Sequence, residues 1–407
     1  MRKNGVDPVE KDHVRGRWHI SMQHCFLQHW FFHPCATYTR ASMGLNVKEE
    51  RMPQRGAIGL PVQWNLQIYP AIPFALLHDA LSEEGIDSAP MLAGAGLGLA
   101  QARSPATRVS RQQLLSGCKA VAGMGVAAPF AFHCGLRTRL SHFGMYGFAL
   151  MSAPDIRTML RFAVEQQSLV ASLVRVWVQR RGDKVEIGID PFPHVDMDAR
   201  LYRFLVEAHF GVAQRGWCDL TGADFTPLRL CVTFPECAST RAIAASLGAE
   251  VAFCQQTNSF VFDAAWLDSR PQFGNLIAHD SVREVCANLA ARLKEQAGLA
   301  GRIGRQMVTD YGRIPSIGHM ATTLEMSDRQ VRRKLRAEGT SYRAIQDDVR
   351  SQVAMKYLRD TALPVEAVAG AVGFDDAANF RRAFRRWAGK TPAEFRTSIA
   401  PPATADV

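Results

Sequence analysis

The sequence predicts an α+β domain followed by an all-α domain made of two helix-turn-helix units joined by a long helix. Three observations carry that expectation. Residues 172–190, SLVRVWVQRRGDKVEIGID, alternate apolar and polar side chains on either side of Gly182-Asp183, the pattern of a strand hairpin. Residues 314–339 and 363–388 each contain a short apolar-periodic helix, a tight turn and a second helix rich in arginine. Between them, residues 341–361 carry a helical stripe long enough to join the two.

Composition sets the frame. The 407 residues allow two or three domains. Hydrophobic residues at 47% and charged residues at 21% are ordinary for a soluble globular chain. A formal net charge of +10 calls for an anionic partner without naming it. The distribution is more telling: residues 301–396 hold 18 Lys and Arg against 11 Asp and Glu, and most of the cations are Arg, which suits phosphate and guanine. The nine cysteines form no C-x-x-C pair, which argues for reduced thiols and a cytoplasmic home. No apolar run reaches the ~20 residues of a membrane span, so no membrane partner is expected.

Residues 1–62 read as a poorly ordered N-terminal extension. Cys25, His29, His33 and Cys35 fall close together there, but C-x3-H-x3-H-x-C matches no structural zinc pattern, and no metal is expected. Residues 63–298 read as the α+β domain. Helical periodicity is expected at 73–84, 109–122, 154–168, 197–213 and 275–297, and strands at 227–234 and 258–263 beside the hairpin. Ser152 is the expected N-cap of the third helix, with Pro154 and Asp155 in its first turn.

Two stretches of this domain resemble enzyme motifs and fail on inspection. AGAGLGLA (93–100) follows a helical stretch rather than a strand and lacks the third glycine of a dinucleotide fingerprint. Ser116-x-x-Lys119 has the serine–lysine spacing of β-lactamase-like enzymes without its S-D-N and K-T-G partners. With no H-E-x-x-H, G-x-S-x-G or P-loop, neither a catalytic residue nor a cofactor is expected.

The all-α domain is placed at 299–397, with helix-turn-helix units at 315–338 and 364–388, a linker helix at 341–360, and a disordered tail at 398–407. In the second unit, Phe380, Phe384 and Trp387 share one helical face. At about 100° per residue from Phe380, Arg382 falls near 200° and Arg385 near 140°, away from the core. The preceding helix begins at Pro364, places Val365, Val368, Ala369 and Val372 inward, and stops at Gly373, a left-handed C-cap, with Asp375 as the next N-cap. About 48 residues earlier the same grammar recurs: Ile317, Met320, Ala321 and Leu324, a turn, then Ser327 as N-cap and Val331 and Leu335 as the inward seam. Tyr342, Ile345, Val349, Val353 and Tyr357 form the stripe of the linker helix. A charge run alone is most often a solvated surface. Two capped, apolar-backed basic helices in one window point instead to double-stranded DNA, read in adjacent major grooves.

Residues 301–396 resemble the DNA-binding domain of the AraC/XylS family of bacterial transcription regulators. VGFDDAANFRRAFRRWAGKTPAEFR follows that family's signature through G-F, both phenylalanines, Gly389 and T-P-x-x-[YF]-R. FGMYGFALMSAPDIRTML (143–160) and FTPLRLCVTFP (225–235) resemble the N-terminal domain of a subgroup containing ornithine-utilisation-type regulators. The resemblance implies an effector or dimerisation domain followed by a bipartite reader, and activation as the default direction. It also implies a small-molecule effector, RNA polymerase as a further partner, a possible homodimer, and association with the nucleoid.

By the same resemblance, Arg329, Arg332 and Arg333 of the first unit and Asn379, Arg381 and Arg382 of the second fall on base-reading positions. Gln330, Arg336, Arg385 and Arg386 are secondary phosphate contacts. The chemistry is consistent, since Arg matches guanine O6/N7 and Asn matches adenine N6/N7. This chain departs from the pattern at Ala378, where a small hydroxyl residue is usual, and at Glu325, where glycine is usual. A left-handed Glu325 costs roughly 1 kcal/mol or more, which predicts a wider first turn. The alternatives are an enzyme delivered to nucleic acid by its basic module, which needs an acid/base pair or metal cluster in 65–298, and a non-specific packaging protein, which needs phosphate contacts only.

Overall fold

A computed structural model of the chain describes residues 64–222, 225–309 and 315–399. Residues 1–62, with Cys25, His29, His33 and Cys35, and residues 400–407 lie outside the described residues.

The N-terminal domain runs β1 (Tyr69–Pro70), α1 (Ile72–Glu83), α2 (Ala89–Gly94), α3 (Leu99–Ala102), β2 (Arg108–Val109), α4 (Arg111–Gly123), α5 (Phe130–Leu136), α6 (Gly144–Ser152) and α7 (Ile156–Glu165). It continues through β3 (Val174–Arg181), β4 (Lys184–Pro191), α8 (Ala199–Thr221), β5 (Arg229–Cys231), α9 (Ala238–Leu247), β6 (Glu250–Ala252), β7 (Ser259–Asp263) and α10 (Leu276–Gln296). β3 and β4 pair antiparallel about the Gly182-Asp183 turn, as the alternation requires. The larger sheet has the order β3-β4-β7-β5-β6; only β5 and β6 are parallel, joined by α9 as a crossover.

One apolar core fills this domain. Inward residues of the sheet, Val178, Val185, Ile187, Phe260 and Phe262, meet α8 through Leu205, Phe210 and Trp217. α8 in turn lies close against α5, because Gly135 and Gly211 face one another there. A Cβ on Gly135 would sit 1.9 Å from the Ala208 carbonyl oxygen, and one on Gly211 would sit 2.1 Å from that of Phe132. Side chains at either position would drive the two backbones apart.

Local corrections have local causes. α7 is capped by Asp155, whose carboxylate accepts the Thr158 N–H at 2.7 Å, and not by Ser152, which ends α6 and donates to the Phe148 carbonyl. β5 spans three residues of the expected 227–234. Ser116 and Lys119 lie on α4, where Lys119 pairs with Asp196 at 2.9 Å and no serine–lysine contact forms. The AGAGLGLA stretch closes α2 and opens α3 through Gly96 at φ 66°.

The C-terminal domain contains α11 (Gly298–Thr309), α12 (Ile317–Thr323), α13 (Asp328–Ala337), α14 (Tyr342–Asp360), α15 (Val365–Ala371), α16 (Ala377–Ala388) and α17 (Pro392–Ile399), so residues 398 and 399 belong to a helix. It has two small cores. Ile303 and Met307 of α11 join Met320, Ala321, Val331, Leu335, Tyr342, Ile345 and Val349 in the first. Val368, Ala369, Phe380, Phe384 and Phe395 gather with Met355 and Leu358 in the second. α14 contributes to both, so one helix fixes the two units relative to each other. Among the described residues no helix is long and apolar enough to cross a membrane.

Candidate nucleic-acid interface

Each basic helix is fixed at its start by a side-chain cap. Ser327 accepts the Gln330 N–H at 3.3 Å, and the Gln330 side chain returns to accept the Ser327 N–H at 2.8 Å, completing a capping box on α13. The box uses the Gln330 side-chain oxygen, and a phosphate would be met by its side-chain NH2. On α16 the cap is Asp376 rather than Asp375: its carboxylate accepts from the N–H groups of Ala378 at 2.9 Å and Asn379 at 3.2 Å. These two donors hold the Asp376 carboxyl below its ordinary value.

The turns before the two reading helices share one geometry. Gly373 takes φ 79°, and the Phe374 N–H donates to the Ala369 carbonyl at 2.9 Å. Glu325 takes φ 55°, and the Met326 N–H donates to the Ala321 carbonyl at 2.9 Å. The first turn is thus not widened; Glu325 accepts the left-handed conformation that glycine accepts at no steric cost. Ala321 and Ala369, both buried, leave room for each unit's helices to approach.

Backed by these cores, the polar faces are open. Val331 and Leu335 of α13, and Phe380 and Phe384 of α16, are fully buried, whereas Arg329, Arg332, Arg333, Arg336, Asn379, Arg381, Arg382, Arg385 and Arg386 are all exposed. The structure brings these residues onto two solvent-facing surfaces joined by α14, a helix of 19 residues and so about 28 Å long.

Their engagement differs between units. Arg329, Arg332, Arg333 and Arg336 form no ion pair among the described residues. In the second unit Arg381 pairs with Glu366 of α15, Arg386 pairs with Asp347 of α14 at 3.0 Å, and Arg382 donates to the Asn379 side-chain oxygen at 2.6 Å. Exposed pairs of this kind are worth about 0–1 kcal/mol and yield readily to a phosphate. The last arginine of the signature, Arg396, is structural: it donates to the Leu363 carbonyl at 2.6 Å and ties α17 to the connection after α14. Sequence reading did not anticipate α11, whose N-terminus is capped by Glu338 through the N–H groups of Leu299 and Ala300, both at 2.8 Å. Among the described residues no cluster of His, Cys, Asp and Glu could hold a metal ion.

Comparison with known proteins agrees with both halves. Residues 85–271 match the family described as the arabinose-binding domain of AraC transcription regulators, and residues 320–398 match a helix-turn-helix domain family. The chain is 26% identical over 340 residues to the ornithine utilization regulator of Pseudomonas aeruginosa, covering 83% of this chain and 98% of that one. It is 27% identical over 349 residues to an HTH-type transcriptional regulator of Mycobacterium tuberculosis, covering 80% and 96%. The crystal structure of the transcriptional regulator CdpR from Pseudomonas aeruginosa is similar with a TM-score of 0.43 and 23% identity, over 82% of this chain and 99% of that one. With an N-terminal domain of that type followed by two capped helix-turn-helix units, the chain belongs to the AraC family of transcription regulators.

Proposed function

We propose that the protein reads a bipartite site in double-stranded DNA, with α13 and α16 entering successive major grooves on one face of the duplex. The observation that supports this best is the pair of exposed basic faces, each opposite its own core and both held by α14. In this reading Arg329, Arg332, Arg333, Asn379, Arg381 and Arg382 meet base edges. Gln330, through its side-chain NH2, and Arg336, Arg385 and Arg386 meet phosphate.

The protein acts by binding and not by catalysis. It answers to a small metabolite held by the N-terminal domain and activates transcription beside RNA polymerase in the cytoplasm. Amino acids are the first effector class to test, because one similar protein is an ornithine utilization regulator. A homodimer belongs to the same reading. Phe273 just before α10 and Leu276 and Ile277 in its first turn are 63%, 59% and 80% exposed, and Val285 and Leu289 farther along the helix are also exposed. Exposed Asp280, Arg283, Glu284 and Arg292 lie on the same helix with both signs of charge, which suits a second copy of it.

Selection of duplexes from a random pool by the full chain tests the reading. The expected outcome is enrichment of two short motifs with centres about one helical turn, ~10 bp, apart. Recovery of unenriched DNA would refute sequence reading and leave phosphate binding only.

A further inference from the structure

From the last residue of β4 through the connection to α8, residues 191–198 meet three parts of the molecule. At its start lies the last turn of α14. Arg359, whose side chain is 5% exposed, donates to the Pro191 carbonyl and sits 3.7 Å from Asp190. Lys356 lies 3.4 Å from Asp190 and 2.5 Å from Asp360, and Arg175 of β3 lies 3.5 Å from the same Asp190 carboxylate. In its middle, Val195 packs at the edge of the second unit's core. Near its end, Asp196 pairs with Lys119 on the wall of a groove of about 560 Å³ that Ser116, Leu115 and Met124 also line.

The charges at the start of this connection depend on one another. Burial pushes the Asp360 carboxyl up, but the adjoining Arg359 and Lys356 bring it below its ordinary value. Asp190 is the acid that faces three cations from two domains. Arg359 is the buried member, with Asp190 and Asp360 partly exposed around it, so loss of an acid partner falls chiefly on the Arg359 charge and loosens the contact there. Arg359 also lies over the Tyr202 ring, 5.6 Å from its centre, and the Tyr202 hydroxyl accepts from Asn258 at 2.7 Å and Thr233 at 3.2 Å inside the N-terminal domain. No comparable tie reaches the first unit: among the described residues, no hydrogen bond or ion pair joins 315–340 to 64–275.

We infer that the β4–α8 connection is a clamp that holds the second helix-turn-helix unit to the N-terminal domain and transmits movement of that domain to α14, with Asp190 as the group that closes it. The reading helices stay exposed in the clamped arrangement, so the clamp sets their orientation and does not cover them. Because α14 enters both cores, whatever moves its last turn moves both readers.

Hydrogen exchange of the full chain, without DNA, tests this independently of the DNA-reading proposal. Asp190→Asn should speed amide exchange at residues 192–197 and 356–362 by about tenfold or more, leaving β7 and α13 at the wild-type rate, and Asp190→Glu should restore protection. If Asp190→Asn fails to fold, Lys356→Met, which keeps the Arg359–Asp360 pair, is read the same way. Transmission is tested at the far end: Asp196→Lys sets a like charge against Lys119 and should speed exchange at 356–362 by about threefold. Unchanged exchange at 356–362 in the Asp190 or Lys356 variant, or acceleration spread evenly over the chain, would overturn the clamp. A response to Asp196→Lys confined to residues 194–198 would overturn transmission.

Discussion

Alanine substitution at three arginines separates reading from holding. Arg333 is exposed near the middle of α13, about 200° around the helix from the buried Val331, and no acid among the described residues competes for it. Arg382 occupies the corresponding face of α16, its guanidinium oriented by the 2.6 Å contact to Asn379. A bidentate arginine–guanine contact is worth about 1–3 kcal/mol, so either substitution should weaken binding to the selected site by roughly 5- to 150-fold. Base preference should relax in one half-site only. Arg386 lies farther along α16 and shares its charge with Asp347, so its substitution removes at most a phosphate contact. That lowers the slope of log K against log salt by about 0.9, or roughly 3.5-fold in affinity across a fourfold change in salt, equally on specific and scrambled DNA. The assay is fluorescence anisotropy of each full-length variant on both DNAs over a salt series. Equal losses on the two DNAs for all three variants would refute the assignment of reading residues.

Other expectations follow from the same geometry. Phe384→Ala, which empties a fully buried site facing Phe395, should cost about 3–5 kcal/mol and appear in thermal unfolding as a large loss for the C-terminal domain; a shift of under a degree would deny the second core its role. Glu325→Gly should relieve the left-handed strain at φ 55° and stabilise by about 1 kcal/mol, whereas a lowered melting temperature would show that the Glu325 side chain supports the turn. The Asp376 carboxyl is held below its ordinary value of 3.8, so its contribution is complete above about pH 5 and lost as pH falls through the folded-state value. Asp376→Asn should accordingly flatten the acid limb of the stability profile while keeping the cap; an unchanged acid limb would place the titration elsewhere. Ile277→Asp should convert a dimer to a monomer in sedimentation, and a variant that sediments as wild type would exclude α10 as the contact.

The helix-turn-helix units were legible because their cores are strictly periodic and local. Val331 with Leu335, and Phe380 with Phe384, announce both the helix and its buried face, and Ala321, Ala369 and Gly373 mark where backbones approach or turn. Adjacent Asp375 and Asp376 are equally good caps on paper, and only backbone geometry selects the second. The S-x-x-Q spacing at 327–330 is that of a capping box, a feature that the sequence reading passed over. α5 and α6 escaped because they are buried on most sides: Phe130, Ala131, Phe132, Cys134 and Gly135 are all inside, so no polar face remains to reveal a period. β6, three residues long, carries too little alternation to read. The Asp190 cluster could not be found from spacing, since Lys356 lies 166 residues away and the contact depends on how two domains meet.

If α14 holds two readers at one fixed separation on one face of the duplex, binding must depend on the spacing of the two half-sites. Inserting half a helical turn, ~5 bp, between the half-sites turns one of them to the far side, and inserting a full turn, ~10 bp, returns it to the near face but moves it about 34 Å along the axis. A helix of 19 residues with both cores built on it cannot stretch to follow. Both insertions should reduce affinity to that of a single half-site. Full affinity on the 10 bp insertion, or tolerance of the 5 bp one, would contradict a rigid bipartite reader and show that the two units move independently.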